Sequence, residues 1–173
     1  MILLDADIFV KSEAWRAEDN IEEIVEKICS RIMPLTDLKD LSQDNLDIEL
    51  SVSLVCDAQI REMNDEFRDK DKATNVLSFP SLDENLIRKD GLQSVVGESD
   101  YIFLGDIVVA YETMKKESLA QNKKFCDHLT HLILHSILHL LGYDHEEDKM
   151  AEKMESLEIN ILQQMGIANP YIN

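Results

Sequence analysis

The chain has 173 residues, 45% apolar and 30% charged, which suits one domain with a real core. No run approaches the ~18–20 apolar residues of a membrane span, and the start, "MILLDADIFVKSE", holds Asp5 and Asp7 in its apolar run with no basic leader, so a signal peptide is not expected. A net charge of −18 argues against loose attachment to a polyphosphate but leaves room for a local basic cleft.

In chain order, "ILLDADIFV" alternates as a strand, and "AEDNIEEIVEKICSRIM" places Ile21, Ile24, Val25, Ile28 and Ile32 at helical spacing. "LDIELSVSLVC" alternates as a half-buried strand. The helix "DAQIREMNDEFR" follows, with Asp57 expected as its N-cap and Ile60, Met63 and Phe67 on one face. "ATNVLSFP" reads as a short strand stopped by Pro80. Residues 81–100 are polar with two glycines and read as an irregular loop, long enough to suggest a lid or insertion. "YIFLGDIVVA" returns to strand. Helices are expected over about 111–121, 124–141 and 149–164, the last ending before Gly166. This order, with strands and helices mixed but not strictly alternating, predicts an α+β domain: helices packed on one small mixed sheet. The three cysteines, Cys29, Cys56 and Cys126, are odd in number and form no CxxC, which fits reduced thiols in a cytoplasmic setting.

All five histidines lie between residues 128 and 145. His135 and His139 are one helical turn apart on one face, so both imidazoles reach a common point. His131 lies one turn earlier, but it is about 12 Å of axial rise from His139, too far to share one ion with it. The pair is therefore 131/135 or 135/139. Gly142 decides between them: it sits where a helix ends with φ > 0, so the chain can reverse and carry His145 back toward His139 and His135. Three histidines leave a fourth tetrahedral position open, the pattern of a catalytic zinc site, although nickel or copper also suits imidazole ligands. His131 becomes a neighbour that orients a ligand or contacts substrate, or else a purely structural residue. Asp106, Asp127 and Asp144 are candidates to hold the outer ring nitrogens.

"HSILHLLGYDH" follows the frame H-E-x-x-H-x-x-G-x-x-H of zinc proteases, but Ser136 stands where the frame has its glutamate base. Zinc lowers the pKa of bound water to about 7, so hydrolysis remains accessible without that base. A phosphodiester is a more natural target than an amide if a cation holds the phosphate. Arg68, at the end of a predicted helix, supplies a fork suited to phosphate oxygens, with Lys70 and Lys72 beside it in "RDKDK".

Three segments, "NDEFRDKDKATNVLSFP", "LGDIVVA" and "HLTHLILHSILHLLGYDHEED", occur in this order and together resemble the YbeY family of bacterial metal-dependent endoribonucleases over about residues 46–165. The resemblance implies a zincin-like α+β fold, with residues 1–173 as one metal-dependent hydrolase domain whose metal site lies on a long helix and the following turn. It implies single-strand-specific RNA cleavage in 16S rRNA 3′-end maturation and ribosome quality control. It places the zinc ligands on His135, His139 and His145 and the family's functionally important arginine on Arg68. The chain departs from the family pattern at Ser136 and Asp69, where glycines are usual, and at Ala73, where proline is.

The expectation is a cytoplasmic zinc-dependent endoribonuclease using His135, His139 and His145 as ligands and Arg68 on the phosphate. Weaker substrate contacts are expected from His131, Lys70 and Lys72. Its partners would be single-stranded rRNA, the small ribosomal subunit and basic ribosomal proteins. The alternatives are a non-catalytic ribosome-assembly factor stabilised by its metal, and a metallopeptidase.

Overall fold

The computed structural model describes residues 2–172. Four strands form one mixed sheet in the order β1-β2-β4-β3: β1 (Ile2–Val10), β2 (Leu46–Val55) and β4 (Tyr101–Ala110) run parallel, and β3 (Val76–Pro80) is the antiparallel edge against β4. Seven helices are present among the described residues: α1 (Ile21–Ile32), α2 (Asp57–Arg68), α3 (Glu84–Asp90), α4 (Leu92–Val96), α5 (Tyr111–Ala120), α6 (Phe125–Leu140) and α7 (Asp148–Gln164). The α+β class is as the sequence predicts.

The edge strand β1 keeps its alternation: Leu3, Asp5, Asp7 and Phe9 are exposed, and the intervening residues pack inward. The central strand β2 keeps it only as far as Glu49. From Leu50 to Val55 every residue is buried, because strands flank β2 on both sides and its two polar residues there, Ser51 and Ser53, are small. On one face, Ile48, Leu50, Val52 and Leu54 meet the main core with α1 and α6. On the other, Val55, Leu77 and Val108 pack with Ile60 of α2 in a smaller cluster. The expectation of a half-buried β2 therefore holds for half the strand.

Other expectations need correction in detail. A 3-10 turn at Glu13–Ala17 precedes α1 and buries Trp15, whose Nε1–H donates to the Val55 carbonyl at 2.8 Å. Asp57 is not the N-cap of α2. Cys56 caps the helix, its N–H donating to Gln59 Oε1 at 3.0 Å, and the Asp57 carboxylate instead accepts from the N–H and hydroxyl of Thr113 at 3.0 and 2.7 Å. Phe67 is not core: it is 62% exposed and stacks edge-on against Phe79.

Residues 81–100 are not an irregular loop. Asp83 caps α3 by accepting from Leu86 N–H at 3.0 Å, and Gly91 and Gly97, both with positive φ, end α3 and α4. Gly105 shapes the neighbouring sheet: a Cβ there would lie 2.3 Å from the Phe79 carbonyl oxygen, so only glycine lets β3 close on β4.

Candidate metal centre

The centre is built on α6, the helix at the middle of the core. Ten of its 16 residues are buried, including Leu129, Ile133, Ile137 and Leu140. Its remaining stripe presents His131, His135 and His139 to a cleft of about 700 Å³. The helix ends in a Schellman turn: Gly142 N–H donates to the His139 carbonyl and Tyr143 N–H to the Leu138 carbonyl, each at 3.0 Å, with Gly142 at φ +90°. That reversal carries His145 back over the helix end. The ring centres then lie 4.5 Å apart for His135–His139, 5.1 Å for His139–His145 and 5.7 Å for His135–His145.

Each helical ring has one nitrogen committed to the protein. His135 Nδ1 donates to Glu158 Oε1 at 2.6 Å, and His139 Nδ1 donates to the Tyr143 carbonyl at 2.9 Å. Both Nε2 atoms are thus left with free lone pairs, and they face each other at 3.0 Å. Two nitrogens bound at ~2.1 Å to a tetrahedral ion stand roughly 3.4 Å apart, so the pair needs little movement. One nitrogen from each of His135, His139 and His145 lies within 4.8 Å of the others, and the three could hold a metal ion. Burial, reinforced by neighbouring His135, pushes the His139 pKa down to about 4, so its ring is neutral near pH 7 as a ligand must be.

The outer nitrogens are held by groups the sequence reading did not choose. Asp144 instead accepts from the N–H groups of His145 and Glu146, Asp106 accepts from the Ser51 hydroxyl, and Asp127 sits in the first turn of α6. Glu158, fully buried on α7, takes the part expected of them. Burial raises its pKa, but the facing His131 and His135 rings and the Tyr171 hydroxyl outweigh this and hold it at about 2. One sequence clue marked it: Glu158 is an acid among Met154, Ile161 and Leu162 on the buried stripe of its helix.

The other expected site residues divide. His131 lines the cleft outside the three-histidine group, its Nε2 3.8 Å from Glu158 and 3.5 Å from the Tyr171 hydroxyl. Arg68 and Lys70 line the same cleft, Arg68 donating to the Ser78 carbonyl at 3.4 Å. Lys72 is exposed and does not line the cleft; its carbonyl accepts from the Asn64 side chain. Asp69 ends α2 in the left-handed region at φ 53°, a position that favours glycine. Ser136 lines the cleft wall, 1% exposed, and its hydroxyl has no protein partner.

The sequence profile described as Endoribonuclease YbeY matches residues 8–166. A protein named Endoribonuclease YbeY from Agrobacterium fabrum is 41% identical over 172 residues, covering 99% of this chain and 96% of its own length. Another of that name from Sinorhizobium fredii is 39% identical over 176 residues, covering 99% and 94%. The solution structure of a Thermotoga maritima protein, 24% identical, superposes over the full length of both chains with a TM-score of 0.52 and shares the fold. On these grounds the chain belongs to the YbeY family of endoribonucleases.

Proposed function

We propose that this endoribonuclease is zinc-dependent, cuts single-stranded RNA, and acts in the cytoplasm in 16S rRNA 3′-end maturation and ribosome quality control. His135, His139 and His145 hold the ion, and Arg68 holds the scissile phosphate. The observation that carries this reading is the convergence of three imidazole nitrogens in one cleft that Arg68 and Lys70 also line.

A zinc ion there supplies a Lewis acid and lowers the pKa of water toward neutrality. The protein's own groups do the rest. Glu158 and the Tyr143 carbonyl fix the rings so that both Nε2 atoms face one point. Arg68 and Lys70 attract the phosphate, and the guanidinium stabilises the charge that grows on its oxygens as the bond order at phosphorus changes. No carboxylate base follows His135, which favours phosphoryl over amide substrates; Ser136 cannot take that part near neutral pH. A cleft with only a few cations on its walls suits a flexible single strand, which can bend its backbone into reach. The strongly acidic composition favours basic ribosomal proteins as the partners that bring the enzyme to its RNA.

The test is cleavage of a single-stranded rRNA 3′ precursor by pure protein, beside the same strand in a duplex. Cleavage of the single strand alone, abolished by a chelator and restored by zinc, is the expected result. Cleavage indifferent to chelation would overturn the zinc claim.

A further inference from the structure

Two of the three histidines are fixed by a core helix, but His145 stands on the turn between α6 and α7. That turn is exposed at His145 and Glu146, so its position depends on whatever holds it from outside. The holding group comes from α3, in the segment that reads as a loop in the sequence. Arg88 Nε donates to the Gly142 carbonyl at 3.2 Å, and Arg88 Nη2 pairs with Asp144 Oδ2 at 3.3 Å. The other Asp144 oxygen accepts from the backbone N–H of His145 at 2.6 Å and of Glu146 at 3.2 Å. Glu84, one turn back on α3, takes the same guanidinium at 3.2 Å and fixes its direction. Ile87 adds an apolar contact: a Cβ on Gly142 would come within 3.0 Å of its Cγ2. The far end of the segment is also tied down, Gln93 Oε1 accepting from Ser42 N–H at 3.1 Å.

We propose that α3 braces the metal centre, and that Arg88 is a positioning residue acting on His145 through Asp144 and the Gly142 carbonyl. This inference rests on the metal reading of the three histidines. Removing the guanidinium leaves the Gly142 carbonyl and one Asp144 oxygen without their cation, and the turn loses its link to α3. His145 then spends more time away from the point that His135 and His139 share, and the ion dissociates faster.

The experiment measures the zinc dissociation constant by competition with a chromophoric chelator, for wild type, Arg88→Ala, Arg88→Lys and Ile87→Ala. Arg88→Ala is expected to weaken zinc binding by about tenfold, the scale of groups that orient a ligand without touching the metal. Arg88→Lys keeps the pairing with Asp144 and should recover part of the loss. KM for RNA at saturating zinc should stay within about twofold, since the residue acts through the ligand. Zinc affinity equal to wild type in Arg88→Ala would overturn the brace alone. A raised KM with unchanged zinc affinity would also overturn it, assigning Arg88 to the substrate. Wild type that binds no zinc would overturn the metal reading and the brace together. If Arg88→Ala fails to fold, Arg88→Lys and Ile87→Ala still decide: both must weaken zinc binding, and neither may raise KM.

Discussion

At the candidate metal centre, His135 and His139 each give one ring nitrogen to the protein and keep the other free. Glu158 is the more informative partner, because it is fully buried and charged. An uncompensated carboxylate in a core is costly; here the His135 ring and the Tyr171 hydroxyl share its two oxygens. Glu158→Ala leaves His135 without its orienting bond, and zinc affinity should fall about 10- to 100-fold, with Glu158→Gln falling less because its amide oxygen still accepts from Nδ1. Chelator competition measures both. The same residues set the acid response of the metal-free protein. His139 is held at about 4 when folded, against 6.5 as its ordinary value. Between these limits the unfolded chain binds the extra proton, so stability rises with pH through the window and falls on acidification. Glu158, held at about 2 against 4.5, contributes stability that is present above 4.5 and lost as pH falls toward 2. Urea midpoints of metal-free protein should therefore decline steadily from about pH 6.5 to about pH 4; a flat profile over that range would count against the buried, neutral His139.

At the scale of elements, α6 was legible because its apolar residues run at helical spacing and Gly142 marks its end. The relation of His135, His139 and His145 follows from the same pattern, so a three-histidine cluster that could hold a metal was legible in the sequence. The outer partners were not legible in the same way. Glu158 lies 23 residues from His135 on a helix otherwise rich in exposed acids, and only packing brings the two together. The short helices α3 and α4, seven and five residues long, have too few apolar positions to show a period. They are helical because Asp83 caps the first, glycines end both, and Ile87 and Gln93 find partners distant in sequence. The buried second half of β2 was hidden for a related reason: Ser51 and Ser53 look solvent-facing until strands flank them on both sides. Gly105 is the element-scale test of how β3 reaches the cleft. Gly105→Ala puts a methyl into the Phe79 carbonyl at a φ of +140°, and should destabilise the fold by roughly 3 kcal/mol or more, read as a lowered urea midpoint.

For the whole molecule, the question is how a chain of net charge −18 holds RNA. Three cations, Arg68, Lys70 and Arg88, line the cleft beside the histidines, but Arg88 is paired with Glu84 and Asp144, which leaves two for phosphates, and Arg61 is neutralised by Asp71 at 2.6 Å. Two phosphate contacts on a single strand predict a slope of log affinity against log salt of about −1.4. A slope near −4 would mean a second basic surface carries the binding. The shallow expectation fits a division of labour in which a small basic cleft does the chemistry and the acidic exterior serves docking to basic partners. The central claim is that the three histidines and Arg68 form one phosphodiester-cleaving centre. It is tested most directly by the single-turnover cleavage rate of Arg68→Ala on single-stranded RNA, with bound zinc measured in the same sample. The account predicts one zinc per chain, as in wild type, and a rate lower by about 10²- to 10³-fold; an unchanged rate at full zinc occupancy would contradict it.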